Sequence, residues 1–438
     1  MPAPVPPLPS PPSEAVADTP PEQTVSGPGH RLRLTLLMAG ACLPILGAVL
    51  IAPVLPQMQD HFADVPGVDA LVPMALTIPA LSLALLAPFA GVLVDRVGRK
   101  RLLVVATVVY AILGTAPLWL DSLVAVVASR ALVGVAEAAI MTCCTTLLGD
   151  YYSGRQRDRY LAMQTMCAAI SATAFFVLGG AAGSAGWRMP FWAYAVSLLL
   201  APAMAAFLPQ PQPKPQPQPQ PQGNARADQP SSTASEPRVK RPFPWRPLAG
   251  TCALTVFGAV LFYTVQVEMA FLLDDMGVTA SGLIGLASAV SSAAIVIGAV
   301  VFAKAGRAPQ AWLPTAFGLC ALGFAVIWLA PDPLVLTLGA VINCFGGGVM
   351  LPSLLTLAMS KLEFADRGRG TGLWTGSFFL GQFLCPLVAL ALTSAVGSLA
   401  NALGMLALAG AVGAAALGLA ARRRGTGAAP EPIRQTAG

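Results

Sequence analysis

Apolar residues in this chain gather into about twelve long runs, at roughly 34–56, 71–94, 101–120, 123–149, 160–184, 190–208, 247–272, 280–303, 311–330, 334–359, 371–394 and 400–421. Each approaches or exceeds the roughly 20 residues that an α-helix needs to cross the hydrocarbon of a bilayer. No two-residue alternation runs through them, so their backbone polar groups are satisfied within helices and not in a membrane β-barrel. The pattern predicts an all-α membrane protein with twelve transmembrane helices. The first run follows some thirty residues and is longer than the apolar core of a secretory signal, so it reads as a span.

Short polar segments separate the runs, and their charges are sorted. With an N-terminus on the cytoplasmic side, alternate loops on that side hold 24 of the 26 Lys and Arg residues, from Arg31 and Arg33 through Arg96 to Arg101 and on to Arg422. The opposite loops carry Asp60, Asp64, Asp69, Asp121, Asp274, Asp275 and Asp332. Cytoplasmic loops retain basic residues, so both termini are expected in the cytoplasm. Of the two remaining cations, Arg188 lies in an outside loop and Arg130 lies within a helix.

Two stretches interrupt this regularity. Residues 1–33 are rich in proline and small polar residues, and 209–246 contain a Pro/Gln alternation that favours an extended spacer without a core. The spacer divides the chain into a six-helix unit over 34–208 and another over 247–421, followed by a tail at 422–438. Sliding one half by about 208 to 212 positions aligns Gly98-Arg99 with Gly306-Arg307, Arg130–Met141 with Gly339–Met350, and Arg155-Gln-Arg157 with Arg367-Gly-Arg369. Two pseudo-symmetric six-helix bundles are therefore expected, with a substrate site between them near the bilayer midplane.

Composition narrows the function classes. The chain has 438 residues, 55% hydrophobic and 11% charged, where a soluble domain has about 25% charged residues. Its net charge of +6 is dispersed in loop clusters and makes no continuous stripe for nucleic acid. The eight cysteines fall in apolar runs without CxxC spacing, so neither a disulfide framework nor a metal site is indicated. No HExxH or nucleophile elbow is present, and Gly346-Gly347-Gly348 lacks the Lys-Ser/Thr of a phosphate loop. The lipid bilayer and a small molecule are the expected partners. No nucleic acid, obligate protein partner or cofactor is expected.

Gly91-Val-Leu-Val-Asp95-Arg96-Val-Gly98-Arg99-Lys100-Arg101 resembles the signature loop between helices two and three of the major facilitator superfamily. Arg130-Ala-Leu-Val-Gly134 is similar to the fourth-helix motif of its proton-driven members, and Gly186-Trp187-Arg188 and Arg367-Gly-Arg369-Gly370 resemble further landmarks. The resemblance covers about residues 31–424. It implies a transporter working by alternating access, closest to the twelve-helix efflux group. Two departures stand out. Phe175-Phe176 occupies the place of an antiporter Gly-Pro before Gly179-Gly180, and Ala303 stands where the first half has Asp95. In the family, the aspartate matching Asp95 contacts the start of helix eleven, here near Gly370, and the arginine matching Arg99 pairs with an acid for which Asp150 is the candidate. Gly91, Asp95, Arg96, Gly98, Arg99, Asp150 and Gly370 are thus the expected conformational latch.

Arg130 and Glu137 are the charges deep within the fourth run, and at about 3.6 residues per turn they share a face with Gly134. At 1.5 Å per residue Arg130 lies roughly 10 Å, and Glu137 roughly 20 Å, below the outer surface. Charges at such depth line a cavity or find partners, because facing lipid costs several kcal/mol. Glu137 is the expected proton carrier. Burial favours its neutral form and a nearby guanidinium favours the charged one, although a buried ion pair that only fastens helices is the competing reading. Their counterparts in the second half are Gly339 and Gly346. Gly134, Met141, Tyr263, Gln266, Glu268, Asn343, Trp374, Phe378 and Gln382 are expected to line the substrate cavity, with Glu268 a candidate to meet Arg130 across the bundles. These features point to proton-coupled export of a small amphipathic drug or metabolite across a bacterial inner membrane. A nutrient or organic-acid importer and a transporter-shaped sensor are the alternatives.

Overall fold

A computed structural model describes residues 29–89, 94, 96–210, 245–362 and 366–426. Among these there is no strand, and twelve helices are long and apolar enough to cross a membrane. In chain order they are span 1 (His30–His61), span 2 (Val68–Leu86), span 3 (Arg99–Leu118), span 4 (Leu123–Tyr151), span 5 (Gly154–Gly183) and span 6 (Met189–Phe207). After the spacer come span 7 (Leu248–Asp275), span 8 (Ser281–Lys304), span 9 (Pro309–Trp328), span 10 (Pro333–Ser360), span 11 (Gly368–Val396) and span 12 (Leu399–Arg423). Of the proline-rich start expected over 1–33, residues 1–28 lie outside the described residues and the remainder, from His30, already belongs to span 1; 211–244 of the spacer and 427–438 of the tail also lie outside them, while the last helix runs on into the tail as far as Thr426.

Local chemistry explains where the helices start and break. Span 10 begins at Pro333 behind Asp332, whose carboxylate accepts from the N–H groups of Leu334 (2.9 Å) and Val335 (3.0 Å). A proline without an N–H fits the first turn, and the carboxylate satisfies the amides that the helix start leaves open. Span 1 is interrupted: an α-helix over His30–Val49 gives way to a 3-10 turn at Ala52–Val54 and resumes at Leu55–His61. Pro53 and Pro56 lie at this break, where their missing N–H groups cannot continue the ladder. Gly98 holds φ at +91°, a conformation that favours glycine, directly before span 3.

The halves repeat their packing. Spans 1 and 4, 1 and 5, 2 and 4, 3 and 4, and 3 and 6 pack together, and so do spans 7 and 10, 7 and 11, 8 and 10, 9 and 10, and 9 and 12. One core is built on Tyr110, Phe176, Phe191 and Tyr194 and the other on Phe317, Phe324 and Phe262. Large apolar side chains such as Leu199, Leu283, Ile297 and Leu408 point outward, where a bilayer would cover them.

Two helix pairs make most of the contact between the halves, span 5 with span 8 and span 2 with span 11, and the end of span 1 also touches spans 7 and 8. The internal repeat exchanges one pair for the other. Along spans 5 and 8 the contact is mostly backbone: a β-carbon on Gly180 would lie 2.5 Å from the Ser281 carbonyl, and one on Gly285 would lie 2.5 Å from the Phe176 carbonyl. Gln57 Nε2 donates to Ser281 Oγ (2.6 Å) and to the Gly183 carbonyl (3.3 Å), and Thr173 Oγ1 lies 3.4 Å from Ser292 Oγ deeper in the seam. Nearer the basic face, Gly376 and Gly372 bring span 11 against Ala84 and Ala87 at the end of span 2.

Candidate functional site

The first-half site is organised around Arg130, which is fully buried in span 4. Its Nε donates to the Ala75 carbonyl of span 2 at 3.1 Å, Nη1 to the Tyr194 hydroxyl of span 6 at 2.6 Å, and Nη2 to the Gly47 carbonyl of span 1 at 2.7 Å. The acceptors are available for identifiable reasons. Pro79 has no N–H to return to Ala75 one turn earlier, which leaves that carbonyl open within the helix. Gly47 lies in the last turn before the break in span 1, where carbonyls lack helical donors and a cation is favoured. The guanidinium carbon also sits 5.3 Å from the Tyr194 ring centre.

Glu137 lies two turns further along span 4 and is 1% exposed. Its carboxyl rests against Gly47, where any β-carbon would overlap Oε1, and that oxygen has no hydrogen-bond partner among the described residues. Arg130 and Glu137 form no ion pair there: the described ion pairs are Arg99 with Asp150 and Arg188 with Asp121. Tyr110 stands beside them, its hydroxyl donating to the Leu43 carbonyl at 2.6 Å and its ring 5.1 Å from that of Tyr194. All of Arg130's described hydrogen-bond partners, and Gly47 beside Glu137, belong to the first bundle. The two charges therefore sit inside one half.

Gly134, expected on the cavity, is a close-packing position. A β-carbon there would lie 2.5 Å from Pro79 Cα, so the glycine lets spans 2 and 4 approach at the same proline that frees the Ala75 carbonyl. The matching register in the second half closes on glycine: Gly339 and Gly346 both pack against span 9, where side chains would collide. Asn343, the counterpart of Gly134, is fully buried, and its Nδ2 donates to the Cys320 (3.1 Å) and Leu261 (3.4 Å) carbonyls, tying spans 7, 9 and 10 together. It braces helices instead of lining the cavity. Met141 is half-buried.

Between the bundles lies an aromatic group. Tyr263 of span 7 packs against the buried clusters of both halves. Its ring is 5.4 Å from Phe378 of span 11, which stacks on Trp374 at 5.8 Å with planes 8° apart. Gln266 Nε2 and Trp374 Nε1 are buried without a partner among the described residues, and Gln382 is buried on the same span as Trp374. Glu268 is not a partner of Arg130 in this structure; it lines a separate cavity on the acidic face.

At the basic face Arg99 Nη1 and Asp150 Oδ1 form an ion pair that joins the start of span 3 to the end of span 4. Arg96 is exposed, and Gly370 is buried against Leu362. Gly91 and Asp95, the other expected latch residues, lie outside the described residues. The sequence reading missed Gly47, Ala75, Tyr110 and Tyr194. A proline within the second run and two tyrosines in otherwise apolar runs were the available signals.

Comparison with known proteins agrees with this architecture. Residues 37–363 match the family model described as Major Facilitator Superfamily. The chain is 29% identical over 182 residues to the class C tetracycline resistance protein of Escherichia coli, covering 40% of this chain and 44% of that protein. It is 28% identical over 335 residues to a gallate transporter of Pseudomonas putida, covering 68% and 72%. The chain thus spans under half the length of the tetracycline protein and likewise of Multidrug resistance protein 2 from Bacillus subtilis, where 30% identity extends over 179 residues and 42% of that protein. Among solved structures, an inward-facing, occupied bacterial homolog of the human lysosomal transporter Spinster superposes with a TM-score of 0.69 at 15% identity, covering 91% of this chain and 98% of that one. A D-xylose–proton symporter gives 0.67 at 12% identity, covering 88% and 96%. The twelve-span fold and the length of the family match together show that this chain belongs to the Major Facilitator Superfamily.

Proposed function

We propose that the protein is a proton-coupled exporter of a small amphipathic drug or metabolite. It works by alternating access in a bacterial inner membrane, with both termini in the cytoplasm and the proton gradient as its energy source. One observation carries this reading: Arg130 is bound to three acceptors on three helices, while Glu137 is buried beside it with an oxygen that has no hydrogen-bond partner among the described residues. The arginine is a fixed charge. The acid is the group whose charge can change, and in a dry site the two protonation states differ sharply in energy. That difference lets proton occupancy bias the rocking of one bundle against the other. Similarity to tetracycline and multidrug resistance proteins supports export.

Purified protein in proteoliposomes, screened for substrate-dependent proton movement across drugs and metabolites, tests the reading. Glu137→Gln is expected to lose accumulation driven by a pH gradient while keeping substrate exchange at uniform pH. Full gradient-driven flux in this variant would remove Glu137 from coupling. Proton-linked import of an organic acid is the second reading, favoured by the longer match to the gallate transporter. The sign of flux in oriented vesicles separates the two.

A further inference from the structure

On the acidic face, a cavity of about 250 Å³ opens between the halves, with Asp69 and Pro73 on one side and Glu268, Phe271, Asp275 and Leu390 on the other. Asp69 and Asp275 are exposed at its rim, and Asp69 already accepts from Gln59 Nε2 at 2.7 Å. Glu268 is different. It is 5% exposed, lines the cavity, and has neither a hydrogen bond nor an ion pair among the described residues. Thr393 Oγ1, in the same wall, is likewise buried without a partner.

No residue lining this cavity is basic. The basic side chains described near this end of the molecule lie against other groups: Arg188 pairs with Asp121, and the His61 ring packs on Trp187. A buried carboxylate is retained when something compensates it, and among the described residues no positive group lines the cavity with Glu268. The remaining wall is apolar, and the carboxylates are not grouped closely enough to hold a metal ion among the described residues. A compact inorganic cation would gain little from such a wall, whereas an organic cation would bury its hydrocarbon on it, with the Phe271 ring available to its charge.

We infer that this vestibule binds the cationic head of an amphipathic organic cation, with Glu268 as the deep counter-charge and Asp69 and Asp275 as rim charges that draw it in. Cavities that enclose a whole drug-sized ligand run from about 300 to 1,000 Å³, so this one grips the charged end while the remainder lies toward the aromatic group of Tyr263 and Phe378. The inference rests on the transporter reading, since it names the class of cargo, but binding here needs no proton coupling. A benzyltrimethylammonium titration of full-length protein, followed by calorimetry, therefore tests it separately from flux. The quaternary nitrogen cannot lose a proton, and neopentylbenzene, its neutral carbon analogue, and benzenesulfonate serve as neutral and anionic controls.

Wild type should bind the cation at least tenfold more tightly than either control. Glu268→Gln, which keeps the side-chain shape, should weaken it by tenfold or more, and Asp69→Asn and Asp275→Asn by two- to fivefold each. Rising salt should erode the rim contribution first, because exposed charges are screened more than buried ones. Equal binding of the neutral control, undiminished affinity in a Glu268→Gln protein that melts like wild type, or no measurable binding of the cation would each overturn the proposal. Cation-selective binding without gradient-driven flux would instead count against the coupling mechanism alone.

Discussion

Replacing Arg130 by lysine keeps the charge and removes the fork, so it isolates what the guanidinium geometry contributes. The three donors point at acceptors on three different helices, at 3.1, 2.6 and 2.7 Å. One ammonium cannot sit within reach of all of them. Two bonds are then lost. Charge-assisted hydrogen bonds contribute about 1.5–3 kcal/mol each, whereas neutral bonds between membrane helices reach only about 1.7 at most. Taking values between these limits, Arg130→Lys should cost about 2–4 kcal/mol. Denaturant unfolding of purified protein in detergent would measure this, with Tyr194→Phe and the double variant completing a cycle. The Arg130–Tyr194 pair should show a coupling of about 1 kcal/mol or more. A lysine variant within about 0.5 kcal/mol of wild type, or strictly additive changes, would refute the reasoning.

Other substitutions check neighbouring features. Gly134→Ala drives a methyl into the Pro79 backbone, which cannot move aside as a side chain would, and should cost about 1–3 kcal/mol by the same unfolding assay. Gly282→Ala, with open space around it, should be neutral or slightly stabilising and serves as the control. Asn343→Leu removes the tie between spans 7, 9 and 10, so it should lower the melting temperature while leaving substrate affinity within about twofold. Gln57→Ala deletes the side-chain bridge to Ser281 and should speed reaction of a thiol reagent with a cysteine in place of Ser292, which is buried in the same seam.

Helix number and position were legible because the bilayer imposes one length on every span. The apolar runs overlap all twelve spans, and the largest mismatch is at span 2, where the run at 71–94 passes Leu86 by eight residues. Span 1 shows the limit: its break at Pro53 and Pro56 lies within the run at 34–56, and apolar content alone passes over it. Arg130 and Glu137 were legible as buried charges for the same energetic reason, yet their partners were not. Two of the three acceptors are backbone carbonyls, which every residue carries, and only tertiary packing decides which ones are open. Gly134 and Asn343 were assigned to the cavity from their position on helix faces, but a face turned inward in a twelve-helix molecule can meet another helix as readily as a crevice. The acidic cavity around Glu268 emerged only when folding brought Asp69 of the first half beside Glu268 and Asp275 of span 7.

The seam between spans 5 and 8 has a mechanical corollary. Gly180 and Gly285 meet as bare main chain, so little there interlocks and few rotamers need change when one surface rolls over the other. Resistance to tilting is then concentrated in a few replaceable polar latches at Gln57 and Thr173, while the glycines act as the smooth faces of a bearing. On the proposed rocking cycle, substitutions at those latches are expected to change turnover speed while leaving the proposed cargo pocket and the helices that frame it undisturbed.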